Sequence, residues 1–571
     1  MKRTGAQIVF ECLLREGVRH IFGYPGGANL PLYDTFKDYP QIQHILVRHE
    51  QSAAHAADAY ARVTGDAGVC FATSGPGATN LVTGIATAWM DSVPIVCVTG
   101  AVVTSLIGRD GFQEADITGI TLPVTKHNYL VTDVHDIARV MKEAFHIART
   151  GRPGPVLVDI PRDTQQMTAD FHYPETVNLR GYRVPGHPEA AEVKRAAKLI
   201  EEAERPLILA GHGVILSKAY DELLELAEKC DIPVITTLLG ISGFPGTHPL
   251  FQGMPGMHGM YWNNMAISES DLLLGLGMRF DDRVTGRLKD FAPNAKIIHA
   301  DVDPAEMGKN VRPTVALLGD LKATLQDLNR EVGGKRHPDW KAWLAGTRAE
   351  HPSIAIPETD KLLPQFVLKQ LYEATKGQAY VVTGVGQHQM WAAQYYWYDR
   401  PNSFVTSGGL GTMGFEVPAA LGVQVARPKD VVWSVAGDGG FQMTMQELAT
   451  LVEYELPVKF ALLNNGYLGM VKQWQQLFYN DNRSAVKMFN PDFVKLAEAF
   501  GMVGLRVTDK TQVASAIEQA MRHPGPVLVE FVVDDEENCY PMVPPGAALQ
   551  ETIDQPAIAP APRREEAVSR S

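Results

Sequence analysis

Residues 431–470 read VVWSVAGDGGFQMTMQELATLVEYELPVKFALLNNGYLGM, and the fold turns on this stretch. Two apolar runs, VVWSVAG and VKFALLN, are short and lack polar alternation, as expected of strands covered on both faces of a parallel sheet. A helical segment lies between them. The first run ends in Gly437-Asp438-Gly439-Gly440 and the second in Asn464-Asn465. In an open parallel sheet, ligands sit beyond the carboxyl ends of the strands. An Asp at one end and an Asn at the next offer oxygen ligands to a hard divalent cation that keeps water and diphosphate oxygens in its shell. The glycines let backbone N–H groups approach phosphates at a helix N-terminus. GDG alone is also an ordinary type I turn; the NN pair after strand, helix and strand separates the two readings.

The same alternation extends outward. AYVVTG and PVLVEFVVD complete a third unit, placed at 362–548. A first unit, 1–170, opens with Thr4 and Gln7, a capping box for a helix that stops at Gly17. It continues through VRHIFGY, HILV, GVCFAT, PIVCVTG and PVLVDIP, and a second unit, 188–345, carries PLILAGHG, PVITTL, DLLLGLG and KIIHADVD. Polar, Pro-bearing linkers are expected over 163–188 and around HPSIAIPETD, and a solvated, mobile tail over 551–571. The fold class is therefore α/β, with three doubly wound parallel-sheet domains. Whether the first and third units share one fold stays open at this level.

Composition narrows the function. The 571 residues include 52 basic and 65 acidic side chains, a net charge of −13, which argues against nucleic acid or an anionic membrane as the main partner. No apolar run is long enough to span a membrane. The N-terminus has acids within its apolar stretch and is expected to form a helix, not a signal peptide. Five scattered cysteines without a CxxC point away from disulfides or zinc and toward a reducing cytoplasm.

GDG followed after 24 residues by NN resembles the thiamine-diphosphate motif of decarboxylase-type enzymes. The likeness then spreads over nearly the whole chain. GYPGGA, RHEQSAAHAADAYAR, TSGPGATN, GFQEADITGITLPVTKHN, GRPGPVLVDIPRD, GMRFDDRVTG, VGQHQMW, SGGLGTMGF and YLGMVKQWQQLF together resemble the acetohydroxyacid synthase (acetolactate synthase) family, in its catalytic large subunits. That resemblance implies a pyrimidine-binding domain, a flavin-associated central domain and a diphosphate-binding domain. It implies a homodimer or homotetramer with active sites shared between subunits, and a separate small regulatory subunit. The implied reaction decarboxylates pyruvate and joins the two-carbon unit to pyruvate or 2-ketobutyrate, giving 2-acetolactate or 2-aceto-2-hydroxybutyrate, at the first common step of branched-chain amino acid biosynthesis.

The resemblance also assigns residues. Glu50 would hydrogen-bond the cofactor's aminopyrimidine ring; a carboxylate at a buried strand end needs such a partner, although a helix N-terminus would also explain it. Gly27 would present a backbone N–H near the reacting carbonyl, while Phe112, Gln113 and Lys126 would reach in from the neighbouring subunit. Thiamine diphosphate would lie against Glu50, Asn80, Val385, Gln387, His388, Gly411, Met413, Gly437, Asp438, Gly439, Gly440, Asn465, Leu468, Gly469 and Met470. Mg2+ would rest on Asp438, Asn465 and Tyr467. FAD would contact Arg152, Gly211, Gly213, Met257, His258, Arg279, Asp281, Asp301 and Asp320. Trp474 would shape the pocket for the second keto acid, and Arg283 would clamp a carboxylate. Met413 would wedge the cofactor into a bent shape. On local pattern alone, Trp474 and Met413 would be core residues, Lys126 a solvated charge and Arg283 half of an ion pair with Asp281 or Asp282.

The chain departs from the family pattern at His212, where a small residue is usual, at Met260, where Thr is usual, and at Glu416, where Gly is usual. Two alternatives stay open. One is a sibling thiamine enzyme, such as pyruvate oxidase, a flavin-free catabolic acetolactate synthase or another carboligase; RFDDR and QWQ favour the anabolic synthase, and Glu50 disfavours glyoxylate carboligase. The other is an inactive scaffold paralogue, disfavoured by Glu50, Asp438 and Asn465.

Overall fold

A computed structural model describes residues 2–554. Its frame is three sheets of six parallel strands each. The first holds β1 (His20–Gly23), β2 (Gln43–Leu46), β3 (Gly68–Ala72), β4 (Ile95–Ala101), β5 (His127–Leu130) and β6 (Val156–Pro161). The second holds β7 (Pro206–Ala210), β8 (Val234–Thr236), β9 (Phe251–Gly253), β10 (Leu272–Leu276), β11 (Lys296–Asp301) and β12 (Val315–Leu318). The third holds β13 (Tyr380–Thr383), β14 (Phe404–Thr406), β15 (Val432–Gly437), β16 (Lys459–Asn464), β17 (Val503–Val507) and β18 (Val527–Val532).

The first and third sheets have the same spatial order, β2-β1-β3-β4-β6-β5 and β14-β13-β15-β16-β18-β17. They are one topology used twice. The middle sheet runs β9-β8-β7-β10-β11-β12, the strand order of dinucleotide-binding folds, with its switch point between β7 and β10.

Helix Glu50–Thr64 joins the outer units. Its alanines 53, 54, 56, 57, 59 and 61 are all buried, so it has no solvent face. Small side chains let it approach helix Glu416–Ala426 of the third unit so closely that a Cβ on Gly422 would fall 2.1 Å from the carbonyl oxygen of Ala56. One apolar core consequently runs through both units. Third-unit side chains also cover the edge of β2. The Tyr454 hydroxyl accepts from the N–H of Leu46 at 2.9 Å, and the Glu447 carboxylate accepts from the N–H of Arg48 at 2.9 and 3.1 Å.

Several expectations need correction. The segment placed in a linker after 163 begins folded: helix Arg162–Gln166 leads to Thr168–Asp170, which pairs antiparallel with Lys2–Thr4. After β18 the chain crosses back to the middle unit, where Val543, Ala547 and Leu549 join its core. The start of the expected mobile tail is docked there, with Asp554 accepting from Ser353 at 2.8 Å and Glu551 paired with Arg287 at 2.9 Å. The rest of that tail lies outside the described residues. The capping box at Thr4 and Gln7 is present. All five cysteines are buried free thiols, and no helix among the described residues is long and apolar enough to cross a membrane.

Candidate active site

The strand ends of the third sheet build one half of the site. Asp438 follows β15 and opens helix Asp438–Thr444; it is almost wholly buried. Burial pushes its carboxyl up to about 6 against the opposing hydrogen bonds. Its Oδ2 accepts from the N–H of Gly466 at 3.0 Å and from Asn490 Nδ2 at 2.6 Å. The same Asn490 amide donates to Asn464 Oδ1 at 2.9 Å, so it braces both strand ends. No local motif marks Asn490, which lies 52 residues beyond the Asp it holds. Of the NN pair, Asn464 turns to Glu530, while Asn465 lines a cavity with Asp438.

That cavity also receives Val385, Gln387, His388, Met413, Gly437, Gly439, Gly440, Tyr467, Leu468, Gly469 and Met470. Its walls demand glycine. A Cβ on Gly437 would meet His388 Nδ1 at 2.7 Å, and one on Gly439 would meet Leu468 at 2.7 Å. Burial holds the His388 imidazole neutral, pushed down to about 4, and its Nε2 has no hydrogen-bond partner among the described residues. Among the described residues no three His, Cys, Asp or Glu side chains converge as a metal cluster. One carboxylate and one amide instead suit a hard cation that completes its shell with phosphate oxygens and water. Glycine backbone, helix N-terminus and oxygen donors together fit a diphosphate and its metal.

A larger cavity of about 930 Å³ continues from there into the middle unit. Val385, Gly411, Met413, Met470 and Trp474 of the third unit line it, with Gly213, Met257, His258, Arg279, Asp281, Arg283, Asp301 and Asp320 of the middle unit and Arg152 of the first. Gly211 lies behind this wall and donates to the carbonyl of Leu276 at 2.8 Å. Arg152 is held by Ser92 at 2.8 Å and Glu306 at 2.8 Å. His258, pushed down to about 4 by burial, is anchored on the carbonyl of Pro541 at 3.1 Å. Burial also raises Asp301, to about 6. Volume, switch-point position and a wall that offers both guanidinium and carboxylate groups fit an extended dinucleotide such as FAD. Of the three departures from the family pattern, His212 alone lines this cavity.

Trp474 is not the core residue that local pattern suggests, whereas Arg283 does keep an exposed ion pair with Asp282. Trp474 stands half-buried at the cavity wall on helix Gly469–Phe478. Arg283 is largely exposed, with Asp282 no nearer than 3.8 Å.

The first unit builds a separate half. Glu50 does not end a strand: β2 stops at Leu46, and Glu50 is the first residue of helix Glu50–Thr64, capped by His49. Its Oε2 accepts from Asn80 Nδ2 at 2.9 Å. Gly77 sits against both Glu50 and Thr73, and Thr73 in turn packs on Gly26 and accepts from the N–H of Ala28 at 3.2 Å, fixing the turn around Gly27. Gln113 lies against Gly75 beside this group, and Phe112 projects into solvent, 88 % exposed. None of these residues lines either cavity. Lys126 stands apart. Its ammonium donates to the carbonyls of Ile147 at 2.5 Å and Thr150 at 2.8 Å, capping the C-terminus of helix Ile137–Arg149, and burial lowers it to about 8.

The chain matches three family models in sequence order. These are the N-terminal TPP binding domain (residues 3–120), the central domain (193–328) and the C-terminal TPP binding domain (384–531) of thiamine pyrophosphate enzymes. It is 51 % identical to an acetolactate synthase of Mycobacterium bovis over 96 % of this chain and 91 % of that protein. It is 48 % identical to an acetolactate synthase large subunit of Corynebacterium glutamicum, over 96 % and 89 %, and 47 % identical to one of Pyropia yezoensis, over 97 % and 95 %.

Proposed function

The chain belongs to the acetolactate synthase family of thiamine pyrophosphate enzymes, and we infer from this that it decarboxylates pyruvate and joins the two-carbon unit to a second 2-keto acid. One observation carries the reading: Asp438 and Asn465, at neighbouring strand ends, open onto the cavity whose continuation holds Arg283 and Trp474. When bound, thiamine diphosphate supplies the electron sink that pyruvate needs to lose carbon dioxide.

The chain's own groups then have distinct tasks. Asp438, Asn465 and Tyr467 would hold Mg2+, and the N–H groups of 439 and 440 would receive the diphosphate. Glu50 would hold or exchange a proton at a bound aminopyrimidine ring, and the Gly27 N–H would serve the reacting carbonyl. Arg283 fixes the carboxylate of the acceptor, pyruvate or 2-ketobutyrate, and Trp474 limits its side chain. FAD would be held in the large cavity by Arg152, His258 and Arg279, which line it. It takes no net part in the reaction, because the electron pair left by decarboxylation ends in the new carbon–carbon bond.

The two half-sites of one chain do not share a cavity, which supports completion of each site by a second copy. Apolar side chains stand exposed on both units as such an interface requires, among them Phe112, Leu122, Met443, Tyr479 and Phe489. We assign end-product control to a separate small partner subunit, and the cytoplasm as the compartment that keeps the thiols reduced.

The test is pyruvate turnover with Mg2+ and thiamine diphosphate, with and without FAD, following acetolactate, carbon dioxide and oxygen. One acetolactate per carbon dioxide without oxygen uptake is expected. Oxygen consumption equal to pyruvate decarboxylated would make the protein a pyruvate oxidase instead.

A further inference from the structure

Glu416 opens helix Glu416–Ala426 with its side chain completely buried, and among the described residues neither carboxyl oxygen has a hydrogen-bond partner. The carboxyl is wedged between two backbones. A Cβ on Gly384, just past β13, would lie 2.4 Å from Oε2, and one on Gly440, in the first turn after β15, would lie 2.5 Å from Oε1. Gly440 lines the smaller cavity beside Asp438. Glu416 therefore sits directly behind the floor of that cavity, separated from it by a residue without a side chain.

No charge compensates it. Strands β13 and β15 carry no ionisable group but Tyr380. On helix Asp438–Thr444, Asp438 turns to Gly466 and Asn490; in the turn that follows, Glu447 turns to the N–H of Arg48 and the hydroxyl of Thr450. Helix Glu50–Thr64 brings His55 and Arg62 to the ring of Phe415, 5.3 and 5.6 Å from its centre, and not to Glu416. Burial raises the carboxyl to about 7, opposed weakly by the N–H groups of Glu416 itself and Gly414.

We propose that Glu416 takes up a proton when the protein loads its cofactor, making it a positioning residue that links diphosphate affinity to pH. The inference rests on the smaller cavity being the diphosphate site. Loading expels water in front of Gly440 and brings phosphate oxygens to the far side of that backbone. Both changes favour the neutral acid over the carboxylate. One proton moves from solvent to a Glu416 oxygen, and no other bond changes. The affinity is complete while the empty protein already holds this proton. It falls as pH rises through about 7, up to about tenfold per unit, until the loaded carboxyl ionises too.

The experiment is calorimetric titration of cofactor-free protein with thiamine diphosphate at saturating Mg2+, between pH 6.5 and 8.5, in buffers of different ionisation heat. At pH 7.5 the wild type is expected to take up about half a proton more than Glu416→Gln, and its Kd is expected to climb with pH while that of Glu416→Gln stays flat. Glu416→Gly provides the same comparison if the glutamine variant fails to fold by circular dichroism. Equal proton uptake, or equal pH slopes, in wild type and variants would overturn the inference with the cofactor site intact. No thiamine diphosphate binding by the wild type at any pH would instead refute the site assignment on which it depends.

Discussion

Asp438 and Glu50 are both buried carboxylates at the head of a helix, yet they ask for different tests. Asp438 is already pushed up to about 6 by burial, and a metal needs it ionised. Mg2+-dependent cofactor binding should therefore weaken about tenfold per unit as pH falls below about 6, and Asp438→Ala should abolish it. Unchanged Mg2+ dependence in that variant would remove Asp438 from the metal site. Glu50→Gln should leave cofactor binding intact but slow turnover by ~10²–10⁴-fold, as for loss of a general acid–base group. Exchange of the cofactor's C2 proton at the wild-type rate would contradict that role. Asp438 and Asn465 were legible because strand, turn and residue type coincide within one short stretch. Asn490, and the buried Asp91 that accepts from Gly408 and Gly409 across a unit boundary, were not, because each acts on a neighbour far away in sequence. Lys126 is the opposite case, a residue assigned through its motif whose bonds within this chain cap a helix.

At the level of elements, the buried strands were readable and, β2 apart, the sheet edges were not. β5, β9, β12, β14 and β17 escaped notice, and all five are edge strands. All five are short, and all but the buried β14 are partly solvated, so their sequences lack the long continuous apolar run that betrays a central strand. The covered edge at β2 makes a prediction of its own. Glu447 and Tyr454 take the place of a seventh strand there, and Glu447 holds the backbone two residues before Glu50. Glu447→Ala should cost roughly 1–3 kcal/mol, by leaving a buried N–H unpaired, and should lower turnover as well. Tyr454→Phe should cost about 1 kcal/mol with turnover nearly unchanged. Urea midpoints measure both, and a Glu447→Ala protein as stable and active as wild type would show that this grip does not position Glu50.

Across the whole molecule, the repeated strand order of the outer units has a functional consequence. Each unit presents its strand ends to a different place, so Glu50 and Asp438 of one chain face separate spaces. The repetition was invisible in sequence because two chains of residues can fill the same topology with unrelated apolar runs. Phe489, 97 % exposed on the third unit, and Phe112 on the first mark surfaces that solvent alone does not explain. If a second copy covers them, each active site takes Glu50 from one chain and Asp438 from its partner. Mixing answers this directly. Glu50→Gln and Asp438→Ala chains are each close to inactive alone, and are unfolded together and refolded in equal amounts. Half of the pairs formed are mixed, and each mixed pair holds one site with both residues intact. The account predicts recovery of about a quarter of wild-type acetolactate synthesis. A refolded, correctly paired mixture no more active than its two parents would contradict it.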